Sequence, residues 1–473
     1  MRAIQVTMAA GLALAPMGAG AEPIAPAQIS QRVLDDLRDL GGVPGLGAAV
    51  WKDGAVVWSG SSGAADLAAG RPVTSDTIFR LASVSKLITV TAAARLREQG
   101  ALDVDAPVQS LVPALNPKWP TLTARQLAAH TAGVPHYQAV DANRGKVHHA
   151  SVSEALKVFK DRDLLFAPGS RYNYSSYGYT LLSAEIEAAA RRPFLDYVAA
   201  EITPGLAIRV DATGRLKEAS VAYEVEGDKV APAAPHDFSY TWAGGGMSAT
   251  APALAAFGGR LLDGQVVSRS TFDWMLVPAV FNDGKPVVER GEAIGFGWRT
   301  LKDEDGETVA RHAGAADGAR SALVLYPQRR FAVGLLSNAL WASSIEQSAM
   351  TMSAPFRGAE AWGSMRPCPT QAKAYAGAFD DKPIAGTVSF TVENGLCVGV
   401  MSVDGPFAKW MNDLPQKDAT AVRLVGLDPR GGLARAALVT PAGAYELRPA
   451  TSVGAYVARL GPTRSVSLTF AAQ

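Results

Sequence analysis

LASVSKLITVTAAARLREQG, residues 81–100, decides how the rest of the chain is read. Leu87, Ile88, Val90, Ala93 and Leu96, with alanines between them, make a helix that is apolar almost all round and stops at Gly100. Such a helix is buried, and Lys86 is buried with it. An ammonium in that setting is costly, and the usual resolution is a lowered pKa that leaves a neutral amine able to act as a base. Ser83 stands one helical turn earlier on the same face, so its hydroxyl meets that amine. It also stands where the helix begins, where free N–H groups and the positive end of the dipole suit an oxyanion. The pair reads as a nucleophile with its base. Taken alone, the same spacing also fits a capping serine and a lysine whose stem reaches water.

The chain has 473 residues, is 48% hydrophobic, and carries 45 Lys+Arg against 44 Asp+Glu. It can bury a large core and has almost no net charge, which excludes the basic footprint of a nucleic-acid binder. The N-terminus has one Arg, a mildly apolar stretch, and Ala19-Gly20-Ala21 before Glu22. This reads as a signal peptide, residues 1–21, cleaved after Ala21, and implies a periplasmic or secreted protein. No later stretch reaches the roughly 18 unbroken apolar residues of a membrane span. Cys368 and Cys397 are the only cysteines. They are read either as a disulfide formed in an oxidising compartment or as two buried thiols.

Asp53-Gly54 turns a hairpin within residues 46–60, after a helix near Pro26 to Leu40. Helical patterns then fill the middle, and strands return over residues 294–338 as IGFGWRTL, TVARHAG, SALVLYP and FAVGLLSN. The expected fold is α+β: an antiparallel sheet completed by both ends of residues 22–345, flanked by helices, with an all-helical insert at about 80–240 and a site in the seam. Residues 346–372, with Pro355, Pro367 and Pro369, read as an irregular linker. Residues 373–473 contain short strands at near-regular spacing and read as a small lipocalin-like β-barrel.

Five segments carry a resemblance: DTIFRLASVSK (76–86), LTARQLAAHTAGVPHY (122–137), FAPGSRYNYSSYGYTLLSAEIE (166–187), YTWAGGGMSAT (240–250) and HAGAADGARSALVLYP (312–327). In this order they resemble the serine β-lactamase superfamily with S-x-x-K nucleophiles, on its class C, D,D-peptidase and esterase side. The pattern is also similar to the mitochondrial serine β-lactamase-like proteases, a likeness that favours peptide substrates. The resemblance implies a β-lactamase/transpeptidase-like fold and hydrolysis through an acyl-enzyme. Ser83 would be the nucleophile, Lys86 the amine that takes its proton, and Tyr174 a proton-relaying phenol with a pKa lowered by cationic neighbours. Backbone N–H groups of Ser83 and Ala315, the latter just after His312-Ala313-Gly314, would form the oxyanion hole.

Two positions depart from the family pattern. Ser176 stands where an Asn is usual, shortening the side chain that meets the substrate. His312-Ala313 replaces Lys-Thr, removing a permanent cation, so efficient β-lactam hydrolysis is not expected. His312 is read as a proton donor or pH-dependent charge near a substrate carboxylate. His130 and His136 read as hydrogen-bonded structure, and His148-His149 lacks a third metal ligand. The expected activity is a serine peptidase acting on peptide-like amides, including D-amino-acid ones, with no cofactor or metal. Small-ester hydrolysis, weak β-lactamase activity and non-catalytic penicillin recognition are the alternatives. The expected partner is a small peptide or ester substrate, and the oligomeric state is not given by the sequence.

Overall fold

A computed structural model describes residues 23–210, 216, 218–227, 229–358, 362–412, 419–452, 454–461 and 463–472. The expected signal peptide lies outside the described residues. In chain order, α1 (Pro26–Gly41) leads to β1 (Gly45–Lys52), β2 (Ala55–Asp66) and a short β3 (Arg71–Pro72). A largely helical body follows: β4 (Phe79–Arg80), α2 (Ser85–Glu98), α3 (Ala124–Ala128), α4 (Val152–Leu156), α5 (Ser176–Ala190), α6 (Phe194–Tyr197), β5 (Ile208–Arg209), β6 (Tyr223–Glu226), β7 (Lys229–Pro232), α7 (Trp242–Gly245), β8 (Ser248–Ala249), α8 (Ala251–Leu262) and α9 (Arg269–Met275). The chain returns as β9 (Val288–Glu289), β10 (Glu292–Ile294), β11 (Arg299–Lys302), β12 (Thr308–Ala316), β13 (Ala319–Tyr326) and β14 (Phe331–Ser337), then α10 (Ile345–Ser353). The last part is β15 (Ala372–Phe379), β16 (Lys382–Glu393), β17 (Leu396–Ser402), α11 (Gly405–Asn412), β18 (Ala421–Gly426), β19 (Ala436–Thr440), β20 (Gly443–Pro449), β21 (Ala455–Arg459) and β22 (Ser465–Ala472).

Nine strands form one sheet in the order β3-β2-β1-β14-β13-β12-β11-β10-β9, so the two ends of the fold meet where β1 pairs antiparallel with β14. Both central strands are apolar along nearly their whole length because both of their faces are covered. On one face α8 comes so close that a Cβ on Gly259 would lie 2.1 Å from the Trp51 ring, which is why that helix position has no side chain. On the other face, α1 and α10 share a core with β1, β13, β14 and barrel residues such as Val398, Val425 and Val439. Strands β15 to β22 close into an eight-stranded barrel, and a disulfide joins Cys368 to Cys397 with Cα atoms 5.5 Å apart.

Two expectations need correction. The stretch read as an irregular linker opens with α10, whose Ile345, Ala349 and Met352 are buried at helical spacing. Its prolines fall at or beyond the end of that helix, Pro355 within the short turn Ala354–Arg357, so they do not interrupt it. IGFGWRTL is two strands rather than one, because Gly297 at φ 81° breaks the run between β10 and β11.

Candidate active site

The turn that carries Ser83 is built before α2 starts. Ala82 lies at φ 46°, a left-handed conformation that is costly for a residue with a Cβ, and Ser83 follows in a 3-10 turn, Ala82–Val84. Helix α2 is buried along most of its length, and Lys86 is fully inaccessible. Its Nζ lies 3.2 Å from Ser83 Oγ, 2.9 Å from Ser176 Oγ and 2.5 Å from the Gly244 carbonyl. Burial, and then the nearby Arg299 cation, hold its pKa well below that of a free lysine. A neutral amine donates to the carbonyl and to Ser176 and keeps its lone pair for the Ser83 proton.

Tyr174 is positioned by a scaffold laid down between α3 and α5. His130 Nδ1 accepts from the Ser175 N–H at 3.1 Å, and His136 Nδ1 accepts from the Ser176 N–H at 3.2 Å. The His130 ring packs 4.3 Å from the Tyr174 ring, and Lys86 Nζ sits 4.7 Å from the centre of that ring. Both imidazoles are held neutral, His136 pulled down to about 4 by burial and then by Lys86. The Tyr174 phenol interacts with the Ser83 hydroxyl, but its pKa is raised because burial outweighs the cations around it. That reverses the sign expected from the sequence: Tyr174 is a protonated donor, and of the two groups beside Ser83 it is Lys86 that offers the lone pair.

Strand β12 supplies the opposite wall. A Cβ on Gly314 would stand 2.3 Å from the Leu81 carbonyl and 3.0 Å from the Ser83 N, so only glycine lets this strand approach the Ser83 turn. Ala315 follows it, exposed to the cleft. Strand β11 pairs with β12 only as far as Arg299 opposite Arg311, which leaves the edge beyond Arg311 without a partner strand among the described residues. His312 is buried, and its Nδ1 lies 2.6 Å from the Ala313 carbonyl. A carbonyl only accepts, so Nδ1 carries the proton. Burial, then Arg299 and Lys86, lower the His312 pKa to about 3, so the expectation of a switchable positive charge at this position is overturned.

Ser83, Lys86, Tyr174, Ser176, His312, Gly314 and Ala315 therefore converge on one cleft of about 1080 Å³. Ser176 differs in emphasis from the sequence reading, because its hydroxyl is committed to Lys86 rather than free for a substrate. The sequence reading missed Gly244, whose carbonyl holds Lys86, and Arg299, which also hydrogen-bonds the Tyr172 hydroxyl at 3.1 Å. Arg299 belongs to a strand whose register, not its local motif, points it here. His148 contacts Asp237 at 2.8 Å on the surface. Among the described residues, no helix is long and apolar enough to cross a membrane.

An antiparallel sheet backed by helices, with a serine, a lysine and a tyrosine gathered at its edge against a helical body, defines a protein of the β-lactamase/transpeptidase-like fold class. The Beta-lactamase family model matches residues 31–343, and the chain belongs to that family. It is similar to the mouse protein "Serine beta-lactamase-like protein LACTB, mitochondrial", at 27% identity over 63% of this chain and 72% of that one. It is also similar to a D-aminopeptidase of Gluconobacter oxydans, at 27% identity over 64% of this chain and 57% of the enzyme. Among solved structures, the octameric penicillin-binding protein homologue from Pyrococcus abyssi superposes with a TM-score of 0.56 at 17% identity, over 93% of this chain and 99% of that one.

Proposed function

We propose that the chain is a serine hydrolase that cleaves peptide-like amides, with D-amino-acid amides as the leading class. The carrying observation is a fully buried Lys86 amine 3.2 Å from Ser83 Oγ, held in place by the Gly244 carbonyl and the Ser176 hydroxyl. Ser83 Oγ attacks the carbonyl and passes its proton to Lys86, while the oxyanion is met by the N–H groups of Ser83 and Ala315. As the C–N bond breaks, the Tyr174 phenol protonates the leaving nitrogen and is itself reprotonated from Lys86. Water then repeats the sequence on the ester, with Lys86 as the base. The D-aminopeptidase relative supports the amide reading.

A fluorophosphonate probe tests the nucleophile: it should label wild type and not Ser83→Ala, and labelling that persists in the variant refutes the assignment. Lys86→Ala should lower turnover about a thousandfold or more, as when one member of a catalytic unit is lost. Side-by-side assays of D- and L-aminoacyl anilides, p-nitrophenyl esters and nitrocefin should rank the D-anilides first. Nitrocefin should rank last, since His312 brings no charge to a β-lactam carboxylate. The barrel contributes Tyr445, Glu446, Arg448 and Arg459 to the cleft wall, and we assign it the role of bounding substrate length.

A further inference from the structure

Lys86 as a neutral amine has two protons and one lone pair to share among three oxygens. The Gly244 carbonyl can only accept, so it takes one proton. The other proton and the lone pair fall to the Ser83 and Ser176 hydroxyls, 3.2 and 2.9 Å away. Either assignment satisfies the amine. If Ser176 donates to Nζ, the lone pair is occupied and Ser83 keeps its proton. If Ser176 accepts from Nζ, the lone pair is free for Ser83. A hydroxyl that accepts from the lysine must send its own proton elsewhere, and where that proton goes decides whether Lys86 is a base.

Besides Lys86, the Ser176 hydroxyl meets the Tyr137 phenol. Tyr137 ends the stretch HTAGVPHY, and its ring is fixed on three sides. The Tyr177 ring stands edge-on at 5.0 Å, the Tyr240 ring at 5.5 Å, and the Arg144 guanidinium lies 4.5 Å from the ring centre. Burial raises the Tyr137 pKa, so it is a neutral phenol with a single proton. That proton goes to Thr241 Oγ1 at 3.1 Å. Toward Ser176 the Tyr137 oxygen can therefore only accept. Gly244 makes the arrangement fit, because a Cβ there would stand 2.6 Å from Thr241 Oγ1 and 3.0 Å from the Ser176 Cβ. The same glycine supplies the carbonyl that holds Lys86.

We infer that Tyr137 is a positioning residue: by accepting the Ser176 proton it makes the Ser176 hydroxyl an acceptor for Lys86 and keeps the lysine lone pair aimed at Ser83. This role rests on the proposed hydrolase reading, in which Lys86 is the base that takes the Ser83 proton. A serine hydroxyl, unlike an amide oxygen, can be turned either way. Without the Tyr137 oxygen, the Ser176 proton turns to the amine 2.9 Å away, and the base is blocked by its own neighbour. The influence of Tyr137 runs through Ser176, so it disappears when Ser176 has no hydroxyl to turn.

The rate at which a fluorophosphonate labels the full-length protein reads the activation of Ser83 without the natural substrate. Tyr137→Phe keeps the ring and should slow labelling about tenfold or more, the scale of one misdirected hydrogen bond. Ser176→Ala removes the competing proton and should cost no more than about threefold. Adding Tyr137→Phe to Ser176→Ala should then change the rate by less than about twofold, because nothing is left to couple. The double variant should thus label faster than Tyr137→Phe alone, a recovery that a merely structural role for the ring would not give. Its labelling also shows that the fold tolerates the exchange. Equal losses from Tyr137→Phe with and without the Ser176 hydroxyl, an unchanged rate in Tyr137→Phe, or no labelling in Ser176→Ala overturn the inference. Absence of labelling in wild type, or labelling that persists in Ser83→Ala, removes the hydrolase reading and this role with it.

Discussion

At the scale of single residues, the chemistry turns on an amine that is less basic than it would be in water. Because Lys86 is pushed down by burial and Arg299, a fraction able to accept the Ser83 proton exists well below the pH of an ordinary lysine. The acid limb of kcat/KM should therefore belong to Lys86. His312 at about 3 and His136 at about 4 are already neutral where the enzyme works. We expect His312→Gln to leave the position of that limb within about half a pH unit in a pH–rate profile, and a larger displacement would mean that the imidazole titrates in the mechanism. The same lysine costs stability. The unfolded chain binds a proton there up to its ordinary pKa while the folded chain binds it less, so the contribution to stability rises as pH climbs from the folded pKa toward 10.5. Subtracting the urea unfolding free energies of Lys86→Met from those of wild type should leave a difference that grows with pH across that window. A flat difference would mean the amine stays charged. Ser83 and Lys86 were visible in the sequence because one helical turn contains both. The sign of the Tyr174 shift was not, since a phenol's burial depends on rings from His130 and His136 that lie elsewhere in the chain.

Among elements, the approach of β12 to the nucleophile turn is the closest tolerance in the site. In Gly314→Ala the added carbon would overlap the Leu81 carbonyl and the Ser321 hydroxyl, each 2.3 Å away, and push the Ala315 N–H off the oxyanion position proposed for it. A displacement near 1 Å costs about a hundredfold in rate. Turnover should fall by that order while circular dichroism remains native, and an alanine variant with wild-type kcat would remove β12 from the site. Helix α5 carries a different burden. Glu185 is almost inaccessible, its Oε2 has no partner among the described residues, and burial raises its pKa to about 8. The folded state thus holds a proton that the unfolded chain releases above 4.5, and stability is lost as pH rises from there to about 8. Glu185→Gln should gain on wild type across that range, by an upper bound on the order of 5 kcal/mol, measured by urea unfolding at pH 5 and pH 8. Equal stabilities at both pH values would place a partner on that carboxylate. The core helices were legible from their runs of apolar residues. Helix α10 was not, because the prolines that follow it dominated the reading of the segment. Arg299 is invisible for another reason: strand register decides which cleft a half-buried arginine enters.

For the molecule as a whole, the barrel is fused to the family-matched body by a shared apolar core and by a knot of charges, so removing it would expose Val398, Val425 and Val439 rather than merely open the cleft. The β11–β12 turn is the hub of the knot. Asp305 accepts from Arg435 and Arg448 of the barrel, and Glu304 pairs with Arg459. Arg357, only 3% exposed, reaches Glu446 at 2.7 Å and Asp303 at 3.7 Å. Burial opposes ionisation of Glu446, but Arg357, Arg448 and Arg435 together outweigh it and hold the carboxyl near 2. Its contribution to stability is complete above the ordinary value of 4.5 and is lost as pH falls toward about 2. Asp305 is depressed by Arg435 and Arg448 against its own burial, so acid removes both anchors over neighbouring ranges. Calorimetry at pH 7 should thus show body and barrel melting in one transition, and below pH 3 the barrel should separate as its own. Arg357→Met should separate the two transitions at neutral pH, because removing one member of a buried ion cluster leaves carboxylates uncompensated at a cost of about 3–5 kcal/mol. Two resolved transitions in wild type at pH 7 would mean that the charge knot does not couple the parts. Because the strand that leaves this knot carries Gly314 and Ala315, the variant should also lose turnover under conditions where it is still folded.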